Sequence, residues 1–146
     1  MIHLLDANVL IALIDPDHVH NRYAKAWFEQ TIDDGWATCP ITEHAFIRIA
    51  GKSSYQMPGT AADMAELLKR VRQRPGHVFW PESFSLLSSP LIDTTRLTSH
   101  GQVTDTYLLA LAVHNGGRLA TFDRRLSPHA VKGGAEALAL IQNADA

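Results

Sequence analysis

Cysteine is almost absent: the 146 residues contain one, Cys39. A single thiol forms neither an internal disulfide nor a cysteine-rich zinc site, and its apolar setting in "WATCP" marks it as a small core residue. Long apolar runs are missing as well. No stretch approaches the ~18 apolar residues of a membrane span, and no basic leader precedes a short apolar segment. Neither a span nor a signal peptide is expected, which implies a cytoplasmic location. Charge of one sign is not in excess, the net being −2, and a composition 46% hydrophobic and 19% charged excludes disordered and collagen-like classes. A chain of this length is expected to fold as one domain, residues 1–146, that buries roughly 70% of its unfolded surface.

The charge that is present is unevenly spread. Residues 1–47 hold Arg22 and Lys25 against seven acids, whereas residues 48–74 hold six bases, Arg48, Lys52, Lys69, Arg70, Arg72 and Arg74, against Asp63 and Glu66. A basic flank beside an acidic region suits a polyanion lying across a cation site. A solvated helix face is the plainer reading of the 69–74 run.

Short apolar runs alternate with helical patterns. "IHLL" (2–5), "WATC" (36–39), "HVFW" (77–80), "RLAT" (118–121) and "ALALI" (137–141) read as five strands. Between them, 7–14, 20–35, 40–51, 60–74 and 103–117 read as helices, the third entered through Pro40 or Thr42 and the last capped by Thr104 and stopped at Gly116 or Gly117. Residues 82–102 suggest only a short helix and a loop. This rhythm predicts an α/β fold: one three-layer domain with a mostly parallel central sheet of about five strands flanked by helices.

In a parallel sheet the strand C-termini and the helix N-termini share one edge, where ligands bind. Asp6 ends the first strand and Asp123 follows the fourth; Glu43 and Asp105 lie in the first turns of two helices that start at that edge. Each of Asp6 and Asp105 taken alone reads as a helix cap. Four carboxylates together are harder to explain so, because two like charges ~4 Å apart repel by about 4 kcal/mol at an effective dielectric near 20. An all-oxygen set without cysteine or histidine selects Mg²⁺ or Mn²⁺. Asn8 and Thr121, each two residues from an acid, either bind a metal-bound water or support a turn.

The stretches "LLDANVLIAL", "ITEHAFIRI" and "VTDTYLLALAVHNGGRLATFD", in this order and spacing, resemble the PIN-domain ribonucleases, and among them the VapC-like toxins of bacterial toxin–antitoxin pairs. The resemblance covers essentially the whole chain. It implies a Mg²⁺- or Mn²⁺-dependent endoribonuclease, with Asp6, Glu43, Asp105 and Asp123 as the catalytic and metal-binding quartet and Thr121 as the polar residue two before the last acid. Asn8 falls where the family often has Ser, Thr or Asn. It also implies an RNA substrate, a cognate VapB-like antitoxin masking the acidic groove, and a homodimer. Arg48, Arg124 and Arg125 are candidates for contacting RNA phosphates, with surface salt bridges as the alternative.

Other readings are weaker. A phosphoacceptor receiver domain would place an aspartate after strand three and a lysine after strand five, where this chain has "HVFWPES" and "ALALIQN". A non-catalytic PIN-like module that binds nucleic acid or protein is opposed by the complete quartet. His18 and His20 form an HxH pair to which spacing attaches no further ligand, and His100 and His114 read as core or surface residues.

Overall fold

A computed structural model describes residues 1–142. Its sheet has five strands, β1 (His3–Leu5), β2 (Trp36–Thr38), β3 (His77–Phe79), β4 (Arg118–Thr121) and β5 (Leu138–Leu140), in the order β3-β2-β1-β4-β5. Every pairing is parallel. The helices are α1 (Ala7–Ile14), α2 (Asn21–Thr31), α3 (Pro40–Ala50), α4 (Ala61–Val71), α5 (Val103–His114) and a short α6 (Gly134–Ala137).

Period-2 alternation divides each strand between two cores. Leu5, Trp36 and Ala120 face α1–α4 and pack with Leu10, Phe28, Phe46 and Leu68. Leu4, Ala37 and Leu119 face the opposite way, toward Leu108, Leu111 and Val131. Helix α5 is buried continuously from Thr106 to Ala112, as a helix sandwiched between a sheet and a covering segment must be. That cover is residues 82–102, which the sequence left least defined. Phe84, Leu86 and Leu91 pack on the core, Tyr107 donates to the Phe84 carbonyl at 3.0 Å, and the Asp93 and Lys132 N–H groups bond Ala130 and Leu91 carbonyls at 2.8 Å.

Three local expectations change. Gln102, not Thr104, is the residue preceding α5, without a side-chain cap, because a short 3-10 turn, His100–Gln102, leads straight into the helix. The pattern at 20–35 ends as an α-helix at Thr31 and tightens into a 3-10 turn, Ile32–Asp34. β3 is an edge strand with Val78 and Phe79 partly exposed, although its apolar sequence suggested burial. Gly117 is required by close approach: a Cβ there would stand 2.4 Å from the Ile2 carbonyl oxygen and 2.7 Å from the Trp80 ring. Among the described residues no helix is long and apolar enough to cross a membrane.

The strand order grows outward from β1 in both directions, so the chain reverses its winding between β1 and β4. That is the position at which neighbouring crossovers leave on opposite faces and open a crevice at the C-terminal edge.

Candidate active site

Asp6 stands at this crevice because β1 ends there and α1 begins. Its Oδ1 accepts the Ala7 N–H at 2.8 Å, capping the helix, and its Oδ2 accepts the Thr121 hydroxyl at 2.8 Å. Thr121 is fully buried at the end of β4. Its oxygen also accepts from Asn8 Nδ2 and from the Asp123 N–H, each at 3.1 Å, while Asn8 Oδ1 accepts the Phe122 N–H at 3.3 Å. Asn8 and Thr121 thus lock the first and last acids together.

Burial raises the Asp6 carboxyl above its ordinary value, opposed by the bonds from Thr121 and Ala7, with the Asp123 charge adding to the rise. Asp105, in the first turn of α5, is pushed up to about 6 by burial and by the charges of Asp6 and Asp123. Among the described residues its carboxylate receives no hydrogen bond. Asp105 is therefore not a cap; it is an acid held against two others.

Asp123 Oδ1 accepts the Arg125 N–H at 2.9 Å, with Arg125 Nε at 3.5 Å. Glu43, half-buried in the first turn of α3, is engaged elsewhere: its Oε2 accepts the Thr38 hydroxyl at 2.6 Å and lies 3.4 Å from Arg72. The same hydroxyl meets His77 Nε2 at 2.8 Å. Because Thr38 donates its one proton to Glu43, His77 must donate to Thr38. Burial and the Arg72 charge lower the His77 value, against Glu43, so the ring is neutral near pH 7.

Three of the four sequence-predicted acids therefore act on one another electrostatically, and the fourth is anchored beside β2. Among the described residues no three acidic, histidine or cysteine side chains are gathered closely enough to grip an ion directly. The free acceptors are Asp123 Oδ2, Glu43 Oε1 and both oxygens of Asp105, which among the described residues accept nothing.

Comparison with known proteins fixes the lineage. The model of the PIN domain matches residues 3–132. The chain belongs to the PIN-domain family. Its relatives place it among the VapC-like members: Ribonuclease VapC44 of Mycobacterium tuberculosis is 46% identical over 130 residues, 89% of this chain and 92% of the relative. Ribonuclease VapC39 of the same organism is 43% identical over 139 residues, 94% and 100%, and Ribonuclease VapC29 is 38% identical over 124, 85% and 87%.

In this PIN domain Arg48 and Arg124 are exposed and Arg125 leans on Asp123. Sequence reasoning missed Thr38, Arg72 and His77. Arg72 was merged into a basic run, and its Glu43 contact depends on how α4 packs against α3. The β2 end "TC" could have drawn notice, because a threonine at the last position of a buried strand reaches the same edge as the acids.

Proposed function

We propose that this PIN domain is a divalent-cation-dependent endoribonuclease, the toxin of a toxin–antitoxin pair, working in the cytoplasm on RNA and restrained by a VapB-like antitoxin. The observation that carries this reading is Asp105, a half-buried carboxylate that accepts no hydrogen bond among the described residues and is raised to about 6 by burial and by the charges of Asp6 and Asp123. Such an arrangement is unfavourable unless a cation offsets it. The donor set fits a hard ion: oxygen only, with acceptors open on Asp105, Asp123 and Glu43. Mg²⁺ or Mn²⁺ in particular would suit such a set, since Mg²⁺ keeps several waters and needs only one or two direct carboxylates.

Asp105 and Asp123, the aspartates with open oxygens, would hold the ion directly or through its waters, with Asp6, whose two oxygens already accept hydrogen bonds, and Glu43 joining through water. Bound there, it would polarise a phosphoryl oxygen and lower the pKa of a water for in-line attack. The chain's own residues supply the rest. Asp6 is fixed by two hydrogen bonds and cannot swing. Glu43 is anchored through Oε2 and its Oε1 accepts nothing among the described residues, so it can orient the attacking water and take its proton; Asp123, with Oδ2 open, is the other candidate for that role. Arg48, Arg124 and Arg125, all exposed, would contact RNA phosphates. A homodimer, as the family resemblance implies, belongs to the same proposal.

The test is cleavage of total cellular RNA by purified antitoxin-free protein in Mg²⁺, Mn²⁺ or EDTA, beside Asp6→Asn and Asp123→Asn. Cutting that needs the metal and both acids is expected, and the cut sites name the target. If no condition gives cutting and calorimetry detects no Mn²⁺ binding, the chain is a binding module instead.

A further inference from the structure

The HxH pair has no metal role above, yet it occupies a defined place. Three rings run in sequence away from the acids. Phe122, between Thr121 and Asp123, stacks on His20 with centroids 4.9 Å apart and planes 19° from parallel, and His20 lies 5.6 Å from His18. The row ends at a cavity of about 480 Å³ whose lining includes Asn8, Ile11, Asp17, His18, Tyr55 and Gln56. Asn8 belongs to both places, because its amide bonds Thr121 and Phe122 in the acid crevice.

The cavity is built rather than incidental. Asp15, 1% exposed, ties its two walls together: its carboxylate accepts from the Asp17 N–H at 3.0 Å on one wall and from the Tyr55 hydroxyl at 2.8 Å and Gln56 Nε2 at 2.7 Å on the other. A carboxylate accepts only, so the Gln56 amide has one orientation, with Oε1 left as an acceptor. His18 Nδ1 accepts the His20 N–H at 3.0 Å, which leaves Nε2–H as that ring's donor when it is neutral; burial and His20 lower its value and favour the neutral ring, against Asp15. A fixed acceptor beside a neutral ring, with Ile11 and the 80%-exposed Val19 next to them, is what a flat heterocycle with a polar edge requires. The volume lies within the ~300–1,000 Å³ of small-ligand sites.

We propose that this cavity, backed by the Phe122–His20–His18 row, forms a subsite for one nucleotide of the RNA adjacent to the scissile phosphate, stacking its base on His18 and reading its edge through Gln56. Proteins recognise single-stranded RNA by splaying bases onto aromatic and histidine rings and bonding their exposed edges. Arg48, just before the cavity-lining Ile49, and Lys52, between Ile49 and Tyr55, are exposed and would supply the cations a backbone passing here needs. The subsite rests on the ribonuclease proposal and sets which sequence is cut.

The experiment uses short single-stranded RNAs around a mapped cut site, each with one nucleotide made abasic, bound to the non-cutting Asp6→Asn protein alone and combined with His18→Ala or His18→Phe, and a Gln56→Leu protein that keeps Asp6. One abasic position next to the cut is expected to weaken binding by roughly 5- to 100-fold, the usual range for loss of one stacked base. That penalty should vanish in His18→Ala and persist in His18→Phe, while Gln56→Leu flattens the preference among the four bases there and leaves the Mn²⁺-induced melting shift unchanged. Equal abasic penalties with and without His18→Ala overturn the subsite and leave the nuclease standing, as does metal-dependent cutting with no abasic penalty at any position. A protein that neither binds nor cuts RNA overturns both.

Discussion

Asp105 and Asp6 repel each other across the crevice, and only Asp6 has hydrogen bonds that absorb its charge. The Asp105 value rises from 3.8 to about 6. A group raised in the folded state leaves stability intact below pH 3.8 and removes it as pH climbs through about 6. At ~1.4 kcal/mol per pH unit, discounted for partial exposure, the penalty is roughly 1–2 kcal/mol. Asp105→Asn in EDTA should therefore melt about 2–8 °C above wild type at pH 7.5, with the gap closing by pH 4. Calorimetry across pH 4–8 measures it, and a variant that melts lower at pH 7.5 defeats the account.

Adding Mn²⁺ should reverse the same penalty. At a hundred times its dissociation constant an ion bound only by the folded chain stabilises by about 2.7 kcal/mol, a rise of several degrees in wild type. Asp6→Asn and Asp123→Asn should lose most of it, and Asp105→Asn a large part. An equal rise in all four proteins would place the ion elsewhere.

Thr38 is completely buried and holds both Glu43 and His77. Thr38→Val keeps the shape but leaves two polar partners unsatisfied, at a cost of about 1–3 kcal/mol. Cleavage should also fall, by roughly 10- to 100-fold, as expected when the partner of a site carboxylate is removed. The loss should be in kcat rather than in RNA affinity, which steady-state kinetics on a short RNA separates.

Asp15 is held below the ordinary carboxylate range by its bonds from Gln56, Tyr55 and Asp17, which outweigh its burial. Its contribution is present above pH 3.8 and is lost as pH falls through the lowered folded value. Asp15→Ala should cost about 2–4 kcal/mol at pH 7, and less as pH falls below 3.8. Tyr55, pushed up to about 12 by burial and by its bond to Asp15, should show a phenol titration lower than in wild type but still above its ordinary value in the variant, because burial remains, followed by ultraviolet absorbance.

The parts of the fold written in local pattern were legible. "IHLL" and "RLAT" are short apolar runs flanked by helix signals, and they pair as β1 and β4. Asp6 and Asp123 could be placed at one edge because parallel winding leaves no other option. What was hidden depends on tertiary contact. Thr104 has cap chemistry, but the preceding 3-10 turn takes its place. Arg72 is one base in a run until α4 brings it to Glu43. Residues 82–102 lack periodicity because they cover α5 side chain by side chain instead of forming a regular element.

The bond between Thr121 and Asp6 spans 115 residues of chain, and β1, the middle strand, has partners made both early and late. During synthesis the first acid leaves the ribosome long before the hydroxyl that fixes it or the carboxylate that completes the crevice. A prematurely terminated product therefore carries Asp6 without a centre. Contacts so distant in sequence also fold slowly, so the crevice is complete only once β4 has docked on β1.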